Sequence, residues 1–491
     1  MAELTGAEAM VEMMVREGIQ YVFGNPGTTE LPLMDLFASR DEIAYILALH
    51  EDSALGIAAG YAEASGRPAV VNLHTAPGLA HALGNLYNAS RAGTPLIVTA
   101  GQQDTRAMIS EPLLYGDMLQ AVRGYTKWAW EVHHAIEIPT AFARAIKIAT
   151  TPPTGPVFLS LPVNVMEERG EMELPAVTRI VPARTRPDPE SVERAARLLV
   201  SAANPVIISG DGVARGGAVP EVIKLAETLG ARVHTEPLNS LMDFPSGHAL
   251  AAGPLFPNAK QTHALLAGTD AMVVLGSNML TPLVYTGDPM IPAGVRLIQM
   301  DIDERELGKN FPAEVAIRCD LKPGIEELIR ALEPLLGGPV SEAVSTRRQI
   351  AIARIAERRA KFAEESIQMA DEGPISPAYV ARQMREAAAP NAVMVDESVT
   401  STAFVRILFE LKEPNSYFYA KGGSLGFGLP EAVGVKLALP DRQVICAIGD
   451  GSAMYSIQAL WTAARQRLAV TFVVFNNASY MILKGGLMAM Q

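Results

Sequence analysis

Between Gly449 and Asn477 the chain reads Gly-Asp-Gly, 24 further residues, then Asn-Asn, and each half of that pattern follows an apolar run of strand length. QVICAI precedes Gly449 and VTFVVF precedes Asn476, while SIQALWTAARQRL between them carries apolar residues at helical spacing. The polar residues are therefore predicted at the carboxyl ends of two strands, beside a helix start, where an open α/β sheet takes its ligands. Asp450 offers a carboxylate and Asn477 an amide oxygen to a hard octahedral cation, which keeps positions for phosphate oxygens and water. Gly449 and Gly451 let the backbone approach the phosphates. Alone, Gly-Asp-Gly is an ordinary turn and Asn-Asn an ordinary loop. Both at strand ends at this separation point to a diphosphate-anchored magnesium site.

A chain of 491 residues is too long for one core and suits about three α/β domains. At 49% hydrophobic and 19% charged residues it reads as globular, and a net charge of −12 argues against nucleic acid as a partner. The two cysteines, Cys319 and Cys446, both adjoin apolar strand-like runs, so buried thiols in a reducing cytoplasm are expected rather than disulfides. The amino terminus, MAELTGAEAMVEMMVREG, reads as an amphipathic helix and not a leader, and no apolar stretch has the length to span a bilayer.

Strand-like runs alternate with helical stretches from Thr5 to about Pro162, the pattern of a parallel sheet covered by helices. ERGEMELPAVTRIVPARTRPDPES, rich in proline and charge, reads as a linker. PVIISGDG, ARVHTE, DAMVVLGS, VRLIQMDID and VAIRCD repeat the strand logic. A charged helical segment, SEAVSTRRQIAIARIAERRAKFAEES, then leads to strands at NAVMVDES, SYFYA, QVICAI and VTFVVF. The expected domains span residues 1–175, 188–335 and 350–491.

With FGNPGTTELP, ILALHE, VNLHTAPG, LIVTAGQQ and GDGSAMYSIQALWTAA, the chain resembles the thiamine diphosphate-dependent 2-oxo acid decarboxylases, nearest to the benzoylformate decarboxylase type. The resemblance spans essentially the whole length. It implies three doubly wound parallel-sheet α/β domains of the pyruvate decarboxylase-like type: pyrimidine-binding, central and diphosphate-binding. It also implies thiamine diphosphate and Mg²⁺ as cofactors, an aromatic or branched 2-oxo acid as substrate, and an aldehyde and CO2 as products. A homodimer or homotetramer is expected, with Glu51 of one subunit facing the Gly449–Gly451 run of its neighbour. Two alternatives stand beside this: a carboligase of acetolactate synthase type, and a cofactor-binding protein without turnover. The second arises because the chain stops soon after Asn477, whereas the family's third domain continues, so an exposed sheet edge is expected. A flavin-dependent member is disfavoured, since SGDGVARGGA lacks the GxGxxG spacing.

The resemblance assigns roles residue by residue. Glu51 takes the position of the glutamate that hydrogen-bonds the aminopyrimidine; its bland reading is an acid favoured by a helix amino terminus. His74 is the candidate for proton transfer, against the reading of a histidine that satisfies nearby backbone groups. Thr28 stands where such decarboxylases place a substrate-contacting serine, and Glu30 beside it is either a loop-capping acid or a structural partner of the site. Leu425 matches the residue that bends the cofactor, against plain core leucine. Gly423 would offer its carbonyl to the aminopyrimidine. Ser398, Thr400 and Ser452 join Gly449, Asp450, Gly451 and Asn477 around the diphosphate, with the Ser479 carbonyl completing the metal shell. Where the family has a second active-site histidine, the chain has Leu283, with Tyr285 the nearest proton carrier. Ile482 and Leu483 fall where side chains line the acyl space. Lys421 has no explanation.

Overall fold

Strands and helices alternate as the apolar runs predict, and they build three parallel-sheet α/β domains. The computed structural model describes residues 2–175, 184–278, 280–283, 285, 287–368 and 374–490. The chain separates into two compact units: Met1–Val181, Asn391–Thr400 and Ala420–Gln491 form the first, and Pro182–Pro390 with Ser401–Tyr419 the second. The first sheet and the strands Val393–Glu397, Val444–Gly449 and Val470–Phe475 thus share one unit.

In the first unit six parallel strands follow the spatial order Ala44–Leu47, Tyr21–Gly24, Ala69–Leu73, Leu96–Gln102, Val157–Pro162, Ala129–Glu131. Successive side chains leave a strand on opposite faces. Val22, Val70, Ile97 and Val157 accordingly pack with Met10, Met13 and Phe142 of the Gly6–Arg16 and Ile138–Thr150 helices. Their neighbours Phe23, Val71, Val98 and Phe158 pack with Leu55, Leu79 and Leu86 of the Glu51–Ser65 and Thr75–Ala92 helices. Each such fully buried side chain contributes about 1.5–3 kcal/mol.

Two sequence readings need correction. The amino-terminal helix begins only at Gly6, where Thr5 and Glu8 form a reciprocal capping box, because Ala2–Thr5 is a strand. That strand pairs antiparallel with Arg169–Met172, so the start of the expected linker is sheet. Residues 176–183 of that linker lie outside the described residues.

The third sheet carries Val393–Glu397, Val444–Gly449 and Val470–Phe475 side by side in parallel. Its Gly428–Ala438 helix crosses the Glu51–Ser65 helix at backbone contact distance: a Cβ at Gly60 would run into the Glu431 backbone, and one at Gly434 into the Ile57 carbonyl. Thr462 Oγ1 also donates to the Leu47 carbonyl at 3.0 Å. The amino-terminal and carboxy-terminal sheets are joined through these small residues.

The second unit has its own six-stranded parallel sheet, ordered Ala251–Pro254, Arg232–Thr235, Pro205–Ser209, Ala271–Leu275, Arg296–Asp301, Val315–Arg318. Helices Pro189–Ser201, Val219–Leu229 and Leu321–Leu332 bury their apolar stripes in its core. The charged helical segment is one helix of 30 residues, Pro339–Gln368. Cys319 and Cys446 are buried and free; burial pushes the Cys319 thiol up to about 12 and raises the Cys446 thiol well above its ordinary value. Among the described residues no helix is long and apolar enough to cross a membrane.

Candidate active site

Glu51 is the first residue of the Glu51–Ser65 helix, capped by His50, whose Nδ1 accepts from the Asp52 N–H at 3.2 Å. The dipole-favoured position of the bland reading is therefore real. Yet the carboxylate does not face solvent: Glu51 is only 8% exposed, and Oε2 accepts from His81 Nδ1 at 3.0 Å. One turn along the Thr75–Ala92 helix from His81, a Cβ at Gly78 would sit 3.0 Å from Glu51 Oε1, so the glycine leaves room for this acid. Asp52 is turned inward instead. Its Oδ1 accepts from the Asn85 N–H at 3.0 Å and its Oδ2 from Nδ2 at 2.9 Å, and burial pushes its carboxyl up to about 6.

His74 follows the Ala69–Leu73 strand and caps the next helix. The chain turns there through Thr75, a β-branched residue held at φ 54°, a conformation that costs about 1–3 kcal/mol and recurs at functional sites. His74 Nδ1 lies 2.8 Å from Glu30 Oε2. A carboxylate only accepts, so Nδ1 carries the hydrogen and Nε2 is the ring atom left for chemistry.

Glu30 is almost completely buried and accepts two further hydrogen bonds, from the Gly27 N–H at 2.8 Å and from Thr29 Oγ1 at 2.7 Å. It is loop cap and histidine partner at once. Thr28, the sequence candidate, is exposed; the hydroxyl beside the imidazole is that of Thr29, 3.3 Å from Nδ1. The His74 ring also lies against Gly27, where any Cβ would overlap it.

Gly449 ends the Val444–Gly449 strand and Asp450 opens the next helix, as the motif predicts. The space a Gly449 side chain would occupy is almost clear, with Ser452 Oγ at 3.7 Å and the Glu397 carbonyl at 4.0 Å. In the other half of the motif, Asn476 Oδ1 accepts from the Ala478 N–H and Asn477 Oδ1 from the Ser479 N–H, both at 3.0 Å. An amide oxygen keeps a second lone pair, so Asn477 remains able to ligate a cation. Ser479 Oγ is buried without a hydrogen-bond partner among the described residues, an open polar position beside that loop. A carboxylate, an amide oxygen and hydroxyl or carbonyl oxygens suit a hard divalent cation, so the residues present fit a magnesium-bound diphosphate.

Ser398 donates its hydroxyl to Asp396 Oδ1 at 2.6 Å and is buried, whereas Thr400 is half-buried. Leu425 is half-buried in the loop before Gly428–Ala438, and Gly423 is exposed with φ 80°. Two residues missed from the sequence hold that loop. Glu397 Oε1 accepts from the Gly426 N–H and Oε2 from the Gly428 N–H, each at 2.6 Å; burial pushes its carboxyl up to about 8 against those two bonds. Asn88 bonds both backbone groups of Ser424. Glu397 lies inside the quoted DESVTST, but nothing in that string tells which acid turns inward. Ile482 and Leu483 are largely exposed on the Met481–Met490 helix, and Tyr285 in the second unit is 88% exposed.

Family models describing the N-terminal, central and C-terminal domains of thiamine pyrophosphate enzymes match residues 4–120, 192–328 and 398–491. The chain is 36% identical to a benzoylformate decarboxylase of Pseudomonas aeruginosa over 97% of its length and 86% of that protein. It is 30% identical to the acetolactate synthase isozyme 1 large subunit of Escherichia coli, over 96% of the chain and 82% of that protein. A crystal structure of benzoylformate decarboxylase from Polynucleobacter necessarius superimposes with a TM-score of 0.86 at 30% identity, covering 99% of the chain and 88% of that structure.

Proposed function

The chain belongs to the thiamine pyrophosphate enzyme family, and from that premise we propose that it is a thiamine diphosphate- and Mg²⁺-dependent decarboxylase of an aromatic or branched 2-oxo acid, releasing an aldehyde and CO2. The observation that carries the reading is the pair of oriented groups at the strand ends of one sheet: the buried Glu51 carboxylate, and His74 held through Nδ1 by Glu30 with Nε2 left over. A decarboxylase must return a proton to the acyl carbon, and a histidine presented by one nitrogen suits that step. Identity to a benzoylformate decarboxylase supports the same substrate class.

When bound, thiamine diphosphate supplies the electron sink for the pair left behind by the departing carboxylate. In this reading Asp450, Asn477 and Ser479 hold the cation, and the Gly449 and Gly451 backbone with Thr400 and Ser452 meets the diphosphate. Leu425 and the Gly423 carbonyl orient the ring system, and Glu51 exchanges a proton at its carboxylate. His74 exchanges one at Nε2 while Nδ1 stays bonded to Glu30. Thr29 or Thr28 contacts the substrate carboxylate. Tyr285 or water serves as the second proton carrier; unchanged aldehyde release by Tyr285→Phe would remove the tyrosine. A homodimer or dimer of dimers is the proposed assembly, with the cytoplasm as location.

The second reading, carboligation, is favoured by identity to an acetolactate synthase subunit. Mass spectrometry of products from benzoylformate, pyruvate and branched 2-oxo acids, with cofactor and Mg²⁺, separates the two. Aldehydes support decarboxylation, and hydroxyketones as the sole products overturn it.

A further inference from the structure

Inside the second unit, beside its edge strand Ala251–Pro254, is a cavity of about 300 Å³. Residues of that strand, of the Pro339–Gln368 helix and of the Thr402–Leu408 helix line it. None of its lining residues belongs to the unit that carries Glu51, His74 and Asp450. The wall is mainly apolar and includes the rings of Phe244, Phe256, Phe362 and Tyr417.

Set into this wall are three guanidinium groups, Arg358, Arg359 and Arg406, against one carboxylate, Asp243. The hydrogen bonds the arginines make within the unit go to neutral oxygens. Arg358 donates to the Ala252 carbonyl, and Arg359 to those of Ser246, His248 and Ala251. Arg406 donates to the Pro237 carbonyl, Thr235 Oγ1 and Asn239 Oδ1. Among the described residues Arg358 and Arg359 each spend only Nη2 on these bonds, so the rest of both guanidinium forks remains for a ligand. Burial holds both below the ordinary guanidinium range, and Arg358 adds its repulsion to Arg359, which Glu410 partly opposes.

Arg359 and Arg406 are half-buried and Arg358 is exposed; cations drawn into an apolar wall are costly unless an anion offsets them, and a cavity of this volume is at the lower end of small-molecule sites. We propose that the second unit carries a binding site for a small organic carboxylate with an aromatic or branched apolar body, its charge met by Arg358 and Arg359 and its body by Phe244 and Phe362. Arg406 is already committed to three acceptors and shapes the wall. A bare inorganic anion would leave the apolar wall unfilled, and a neutral arene would leave the guanidinium groups unmatched.

Benzoate is the probe, with benzyl alcohol as its neutral counterpart, and hydrogen exchange of the full-length protein is the readout. Saturable protection of segments 251–256 and 358–362 by benzoate is expected, and none by benzyl alcohol. Arg358→Met/Arg359→Met weakens the apparent affinity by at least about tenfold, as loss of a charge-assisted bidentate contact does. Ala252→Leu, which keeps the arginines and fills the space, produces the same weakening, and it decides the matter if the double variant does not fold. Equal protection by benzyl alcohol, benzoate protection confined to the first unit, or undiminished affinity in folded Ala252→Leu would overturn the proposal.

Discussion

Asn88 holds both backbone polar groups of Ser424, donating from Nδ2 to its carbonyl oxygen at 2.9 Å and accepting from its N–H at Oδ1 at 3.0 Å. The two residues lie 336 positions apart, one on the Thr75–Ala92 helix and the other beside Leu425. The Leu425 loop is therefore fixed to the element that carries His81 and begins just after His74. Asn88→Ala removes both bonds and leaves Ser424 unpaired. The expected cost is about 2–4 kcal/mol, read by urea unfolding, together with weaker binding of thiamine diphosphate in a fluorescence titration. A folded variant with unchanged cofactor affinity would show that the bracing is structural only.

Glu30 orients His74 without occupying the position of a reacting group. Glu30→Gln keeps the size of the side chain but removes an obligate acceptor, so the imidazole can turn. Turnover is expected to fall by roughly tenfold to a hundredfold, a fraction of what a general acid or base supplies, with KM little changed because the loss falls on the proton-transfer step. Thr29→Val is expected to act in the same direction and more weakly, and Thr28→Val less still. A rise in KM at constant kcat in Glu30→Gln would place Glu30 in substrate binding instead.

Two inward-turned acids, half-buried Asp52 and buried Glu397, make stability depend on pH in a definite direction. Asp52 is pushed from 3.8 up to about 6, and Glu397 from 4.5 up to about 8. Both are carboxyls whose folded values lie above their unfolded ones, so between those values the native chain binds more protons than the unfolded chain. Stability from these groups is complete in acid and falls as pH rises, through about pH 4–6 for Asp52 and about pH 4.5–8 for Glu397. Glu397→Gln abolishes the second part. Urea unfolding across pH 5–8 is expected to give a flatter profile for the variant, displaced downward by about 1–3 kcal/mol for the lost acceptor at Gly426 or Gly428. Parallel profiles would contradict the account.

Much of this was readable in the sequence, and the boundary has physical causes. Near-continuous apolar runs such as AVVNL and LIVTAG are strands buried on both faces, and Gly449 and Asp450 take their predicted places because strand, glycine and helix start are all local signals. Ala251–Pro254 escaped notice because Ala-Ala-Gly-Pro carries neither β-branching nor alternation, and its place at a sheet edge comes from tertiary packing. Thr28 and Thr29 are adjacent and chemically identical, and only the turn of the 3-10 segment Thr28–Glu30 decides which hydroxyl meets the imidazole. Asn88 and Glu397 act on residues remote in sequence, and a single chain offers no pattern for such pairings.

The most direct test of the central claim is product formation by the wild-type chain and by Glu51→Gln, each with saturating thiamine diphosphate and Mg²⁺ and with benzoylformate or a branched 2-oxo acid as substrate. The account predicts aldehyde and CO2 in equal amounts from the wild type and a loss of about a hundredfold to ten-thousandfold in the variant, the range of a proton-transfer group, with cofactor still bound. Aldehyde release that survives Glu51→Gln undiminished would contradict it.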